Sequence, residues 1–258
     1  MTEGRLSGRR ALITGAADGI GLGIARRFAA EGAHVVMADF DHEKAVAEAR
    51  ALTDAGHTAE AVFVDVTDKG AVATMMSTAA PVDILVNNAY RGNGVARIEK
   101  KSDEDFLSAL GMNLWGVKWA MEAALPHMKT QGWGRVINIS SVEGKHGKAV
   151  FTPYTAAKHA INGFTKSVAR EVGTEGVTVN AICPGLVITD IIRSNGPATA
   201  ETMGMTFDEM VAMFSRDSAL QRPVTVEEVA ALAVLLASDA GSGITGAIMS
   251  VDGGTAQY

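Results

Sequence analysis

Ser141, Tyr154 and Lys158 are the residues whose types and spacing can act together as chemistry. Tyr154 and Lys158 stand at i and i+4, so on a helix their side chains share a face. A free phenol has a pKa of about 10, too high for a base near neutrality. A nearby ammonium favours the phenolate and typically lowers that value by ~1 to 3, which would bring Tyr154 towards general acid–base work. Ser141 follows the apolar run "RVINIS" (135–140) and could hydrogen-bond a substrate oxygen as its proton leaves. Taken alone the spacing is weak evidence, because tyrosine and lysine four apart are common on amphipathic helices.

A second constellation lies far upstream. "ALITGAADGIGLG" (11–23) carries Thr14, Gly15, Asp18, Gly19, Ile20 and Gly21 in a TGxxxGxG turn between an apolar run and a helical pattern. Glycines there let the chain turn tightly, so amides at a helix N-terminus can face a pyrophosphate. The next apolar run ends at Asp39, whose carboxylate can accept hydrogen bonds from both adenosine ribose hydroxyls and would repel a 2′-phosphate. No Arg or Lys stands at Ala16, Ala17 or Phe40 to offset that charge. The expected cofactor is therefore NAD. Asp65 could contact the adenine amino group with Val66 beside it, or simply cap a turn. With a nicotinamide to take hydride, the Ser–Tyr–Lys spacing becomes a site for oxidising a carbinol.

Short apolar runs at 10–14, 33–39, 61–66, 82–87, 135–140, 177–182 and 246–251 read as strands. Helical patterns separate them at about 20–31, 42–55, 68–79, 103–129, 154–172 and 225–237. This alternation predicts an α/β fold: a single Rossmann-type domain over 1–258, with a doubly wound parallel sheet of about seven strands and helices on both faces. Residues 190–222 break the rhythm with a methionine-rich insertion, read as a substrate lid or as a small helix pair covering the sheet edge. The net charge of -6 argues against a nucleic-acid partner. One cysteine, Cys183, precludes an internal disulfide and suits a buried position in a reducing compartment. With no apolar leader and no run long enough to span a bilayer, the expectation is a soluble cytoplasmic protein without membrane contact. None of the six histidines forms a ligand-like pair, so no catalytic metal is expected.

The chain resembles the short-chain dehydrogenase/reductase family over almost its whole length, through "TGAADGIG", Asp39, "DV" (65–66), "NNA" (87–89), Asn113 in "MNLWG", "NISS" with Ser141, "YTAAK" and "PGLVITD" (184–190). The resemblance implies a tetrad of Asn113, Ser141, Tyr154 and Lys158. In it Asn113 kinks its helix to complete a proton relay, and Lys158 doubles as ribose anchor. It also implies that Asn88 lies by the adenosine, that Pro184, Gly185, Val187 and Thr189 border the nicotinamide, and that the protein is a homotetramer built on its two long helices and last strand. Tyr90 stands where the family has glycine; it either strains a positive φ or projects into the cleft, and the second is expected. Tyr90, Arg91, Glu143, Phe151 and Met205 are the candidate substrate contacts. Arg91 could hold an anionic substrate or face water.

The expected activity is an NAD(H)-dependent interconversion of a secondary alcohol and its ketone. The C-terminal segment looks like that of 3-hydroxybutyrate dehydrogenases, yet Glu143, Phe151 and Gly92 replace the polar residues that grip a carboxylate there. A fairly apolar or cyclic alcohol is therefore preferred over a small hydroxy acid. A 3-hydroxybutyrate-dehydrogenase-like or 3-oxoacyl-carrier-protein-reductase-like enzyme is the alternative within the family; a non-catalytic NAD(H)-binding sensor or scaffold is the alternative outside it.

Overall fold

The computed structural model describes residues 4–90 and 95–256, so Arg91 and Gly92 lie outside the described residues. Seven parallel strands form one sheet in the order β3-β2-β1-β4-β5-β6-β7. They are β1 (Arg10–Thr14), β2 (His34–Asp39), β3 (Thr58–Phe63), β4 (Ile84–Asn87), β5 (Gly134–Ile139), β6 (Val177–Pro184) and β7 (Ile248–Val251). The inner strands are apolar on both faces because helices cover both: every residue of β4, β5 and β6 is buried.

On one face α1 (Gly19–Ala30), α2 (His42–Asp54) and α9 (Val226–Ala237) enclose a core that includes Ile24, Phe28, Leu52, Val229 and Val234. On the other, α3 (Lys69–Ala79), α5 (Gly116–Gln131) and α6 (Thr152–Val172) enclose Met75, Met121, Met128, Ile161 and Val168. The strand order reverses between β1 and β4, and in such sheets ligands bind outside the carboxyl ends at that switch point.

Most boundaries fall within two residues of the sequence reading, and two elements differ more, each for a tertiary reason. The third strand covers Thr58–Phe63 rather than 61–66, paired from His34↔Thr58 to Asp39↔Phe63. Val64, taken as strand, is instead buried in the core under α3, and Asp65 and Val66 lie beyond the strand in the following turn. The helix read as 103–129 is two helices, α4 (Asp103–Leu110) and α5, joined by a π turn over Gly111–Trp115. Residues 190–222 contain α7 (Asp190–Thr202) and α8 (Phe207–Arg216), packed where the Phe207 ring lies against Gly196. They form an amphipathic pair, with Met210 as its buried methionine.

Candidate active site

Tyr154 sits in the first turn of α6, entered through Pro153, and Lys158 lies one turn on, 4% exposed. The Lys158 ammonium donates to the Ile139 carbonyl at 2.9 Å and stands 5.6 Å from the Tyr154 ring centroid. Ser141 follows β5 at the same sheet edge, 6% exposed. Serine, tyrosine and lysine are thus brought together at the carboxyl end of β5. Asn113 falls within the π turn, buried, its amide donating to the Ala109 carbonyl at 2.8 Å. An i→i+5 turn inside a helix is a frequent mark of a functional site, and here it falls at Asn113, where the family resemblance implied a helix kink.

The electrostatics depart from expectation. Burial pushes the Tyr154 phenol well above its ordinary value, Tyr90 and Glu143 push the same way, and only hydrogen bonding with Ser141 opposes them. Lys158 is not among the groups that lower it. Burial lowers Lys158 itself to about 8. Burial is thus the largest influence on the phenol, while the Lys158 ammonium is turned to the Ile139 carbonyl.

Tyr90 has no positive φ, so the strain alternative fails. Its ring projects to within 5.0 Å of the Tyr154 ring and 5.4 Å of the Lys158 ammonium, centroid distances in both cases. Phe151 meets Tyr154 edge-on at 6.4 Å. Glu143 reaches back over the short turn Val142–Gly144, and its Oε2 accepts the Ser141 hydroxyl at 2.5 Å. Three of the five proposed substrate contacts therefore surround Tyr154. Met205 does not join them: it lies half-buried in the turn between α7 and α8, its N–H closing on Ala200. From α8 it is Phe214 that reaches the loop after Ser141, with the Lys148 ammonium 3.4 Å above its ring centre. A phenylalanine at a periodic core-like position carried no sign of that contact.

The nucleotide end is built by backbone approach. Gly15 adopts φ +65°, and a Cβ there would meet Ala89 Cα at 2.8 Å. A Cβ on Gly21 would fall 2.0 Å from the Gly15 carbonyl oxygen, so the turn closes only on glycine. Thr14 anchors the crossover from β1 to β4, its hydroxyl accepting the Asn88 and Ala89 N–H groups at 3.0 and 3.1 Å. Asn88 spends its amide on the Thr14 and Gly15 carbonyls, propping the glycine turn rather than reaching outward. The Asp39 carboxylate accepts the Ala17 and Asp41 N–H groups, both at 2.9 Å, which leaves it at the mouth of the turn with lone pairs to spare. Asp65 accepts the Thr67 N–H and hydroxyl at 2.9 and 2.6 Å, the turn-capping alternative. Asp18 caps α1, and Ile20 packs on the core beside it.

Pro184 ends β6. Gly185 follows where a side chain would strike Asp252, and Val187 bridges to Val224. The Thr189 methyl lies where a Cβ on Gly19 would meet it at 3.0 Å, so the segment from 184 to 189 closes on the first turn of α1. A cradle that admits no Cβ, an acidic strand end beside it and the catalytic group across the switch point fit a nicotinamide dinucleotide.

A family model described as enoyl-(acyl carrier protein) reductase matches residues 15–256. A D-beta-hydroxybutyrate dehydrogenase of Rhizobium meliloti is 41% identical over 96% of this chain and 99% of its own. The chain belongs to the short-chain dehydrogenase/reductase family. Another relative, the cis-4-hydroxycyclohexanecarboxylate dehydrogenase of Sinomonas cyclohexanicum, is 38% identical over 95% of this chain and 96% of its own. The solved structure of a point variant of the actinorhodin polyketide ketoreductase with NADPH superposes with a TM-score of 0.90, at 33% identity, covering 98% of this chain and 99% of that one. This short-chain dehydrogenase/reductase is accordingly an oxidoreductase of secondary alcohols and ketones that uses a nicotinamide cofactor.

Two features of this member escaped the sequence reading. Lys44 on α2 pairs with Asp18 at 3.0 Å and with Asp190, the first residue of α7, at 3.8 Å. An isolated lysine on an exposed helix gives no signal of such a bridge. Behind the site, Asn87 donates to Asn138 at 2.8 Å and Asn138 to Thr165 at 2.9 Å, a buried polar ladder linking β4, β5 and α6. Among the described residues no cluster of His, Cys, Asp and Glu could hold a metal, and no helix is long and apolar enough to cross a membrane.

Proposed function

We propose that the protein is an NAD(H)-dependent dehydrogenase of a fairly apolar or cyclic secondary alcohol, acting in the cytoplasm as a homotetramer. The observation that carries the catalytic reading is the convergence of Ser141, Tyr154 and buried Lys158 at the carboxyl edge of the sheet, the edge on which the glycine turn after β1 also lies. Bound NAD would supply the hydride acceptor. Thr14, Gly15, Gly19 and Gly21 would accept its pyrophosphate, Asp39 its adenosine ribose, and Val187 and Thr189 its carboxamide. Tyr154 takes the carbinol proton through its phenolic oxygen and returns it in the reverse direction. Ser141 holds the substrate oxygen, and Lys158 anchors the ribose and adds positive charge near the phenol. Asn113, by opening the helix, gives Lys158 a path for the proton.

Asp39 favours NAD over NADP because a 2′-phosphate would meet its carboxylate and Lys44 is already engaged by two aspartates. Tyr90 and Phe151 favour an apolar substrate body. The test is NADH or NADPH formation across a panel of secondary alcohols, run beside Tyr154→Phe. NAD-dependent turnover abolished in the variant is expected. Tight NADH binding without turnover of any alcohol would point instead to a non-catalytic sensor.

A further inference from the structure

Glu143 is a carboxylate inside the catalytic pocket that the tetrad does not use. Its side chain is 12% exposed, and its presence bears on Tyr154 as well as Ser141. A local explanation exists: the Glu143 N–H donates to Ser141 Oγ, so the two residues cap the same short turn. That accounts for the backbone position but not for the carboxylate, since the turn closes through the N–H alone. The carboxylate places one oxygen a single hydrogen-bond length, 2.5 Å, from the hydroxyl that holds the carbinol oxygen. Two oxygens so spaced match the two oxygens of a vicinal diol: its second hydroxyl donates to Oε2 in place of Ser141, which frees the one Ser141 proton for the carbinol oxygen beside Tyr154. An ionised carboxylate is acceptor-only, so the second group must be a donor. It would repel a carboxylate on the adjacent carbon.

The charge balance selects among donors. Glu143 Oε1 lies 3.5 Å from the Lys148 ammonium, so the carboxylate already has a cation and a neutral hydroxyl suits it better than a second ammonium. Tyr90 and Phe151, both against Tyr154, supply a flat apolar wall for the carbon skeleton. We propose that Glu143 is a specificity-determining residue that accepts a second hydroxyl, and that the substrate is a vicinal diol on an apolar ring rather than a hydroxy acid. The assignment rests on the reading that Ser141 and Tyr154 hold the carbinol oxygen. In the reaction one carbinol C–H leaves as hydride to the nicotinamide and its O–H proton goes to Tyr154. The product is an α-hydroxy ketone whose second hydroxyl is unchanged.

The experiment measures kcat/KM for cis-cyclohexane-1,2-diol, cyclohexanol, 2-aminocyclohexanol and 3-hydroxybutyrate with NAD⁺, in the wild type, Glu143→Ala and Glu143→Gln. A site built to hydrogen-bond a hydroxyl rejects the analogue lacking it, so the diol should exceed cyclohexanol by about tenfold or more in the wild type. That ratio should approach one in Glu143→Ala and fall between in Glu143→Gln, which keeps one acceptor oxygen. Hydroxybutyrate should gain relative to cyclohexanol in both variants. Ratios cancel any loss of folded enzyme. A wild-type ratio near one, or a ratio unmoved in Glu143→Ala, overturns the proposal while leaving the dehydrogenase intact. Preference for the amino alcohol shows that charge is recognised and overturns the diol. No Tyr154-dependent turnover of any compound sinks the dehydrogenase reading itself, and the diol with it.

Discussion

Burial shifts both Lys158 and Tyr154 towards their uncharged forms, and each shift can be tested one residue at a time. Lys158 falls from 10.5 to about 8 because its ammonium is desolvated. The unfolded chain keeps that proton to higher pH, so between about 8 and 10.5 the unfolded state binds more protons and stability rises with pH. Below 8 the full penalty stands, roughly 3 kcal/mol at most. Lys158→Met should therefore raise the Tm at about pH 7 while abolishing turnover, and the gain over wild type should shrink as the pH passes about 8 towards 10. A variant less stable than wild type near neutral pH contradicts the desolvation account. Tyr154 is raised partly by the Glu143 anion. Glu143→Gln removes that anion and favours the phenolate, so the acid limb of the kcat/KM profile for oxidation should move to lower pH. An unmoved limb would place Glu143 too far from the phenol to matter.

Among the elements, the π turn and the α7–α8 pair do what no single residue can. The π turn rotates Asn113 inward and separates α4 from α5, whereas hydrophobic periodicity runs through it without a break. Periodicity reports which side of a helix is apolar; it does not detect one extra residue in a turn. The tip of α7 is tied across the nucleotide cradle by the Asp18–Lys44–Asp190 bridge, and α8 is tied to the loop after Ser141 by Lys148 over Phe214. The pair is thus placed to cover both cofactor and substrate. Lys44→Ala should raise the KM for cofactor several-fold while leaving the Tm nearly unchanged, because the bridge is partly exposed and adds little to folding. Equal cofactor KM values in steady-state kinetics would show that α7 holds its place without the bridge.

At the scale of the molecule, the switch point between β1 and β4 joins two sites separated by more than a hundred residues. β7 is a sheet edge with its side chains only half-covered, and Leu107 and Trp115 on the α4–α5 face are 70% and 50% exposed. Exposed edges and large apolar side chains call for cover. The proposed homotetramer would supply it through those helices and that strand. Light scattering should give four copies per particle, and Leu107→Glu with Trp115→Glu should yield a smaller species. A monodisperse monomer in the wild type would remove the assembly reading.

The α/β class was legible in the sequence because it is written as local periodicity, and the glycine turn because it is written as spacing; Asp39 and the Ser–Tyr–Lys set were candidates there, the latter through the resemblance rather than the spacing alone. The inner strands were legible for the same reason: doubly covered parallel strands are continuous apolar runs. Only the packing of distant segments settled that Tyr90 lies tilted against Tyr154, that Glu143 rather than Met205 reaches Ser141, and that burial is the largest influence on the phenol. These outcomes depend on distances between segments far apart in the chain, and on how much water each group loses when they meet.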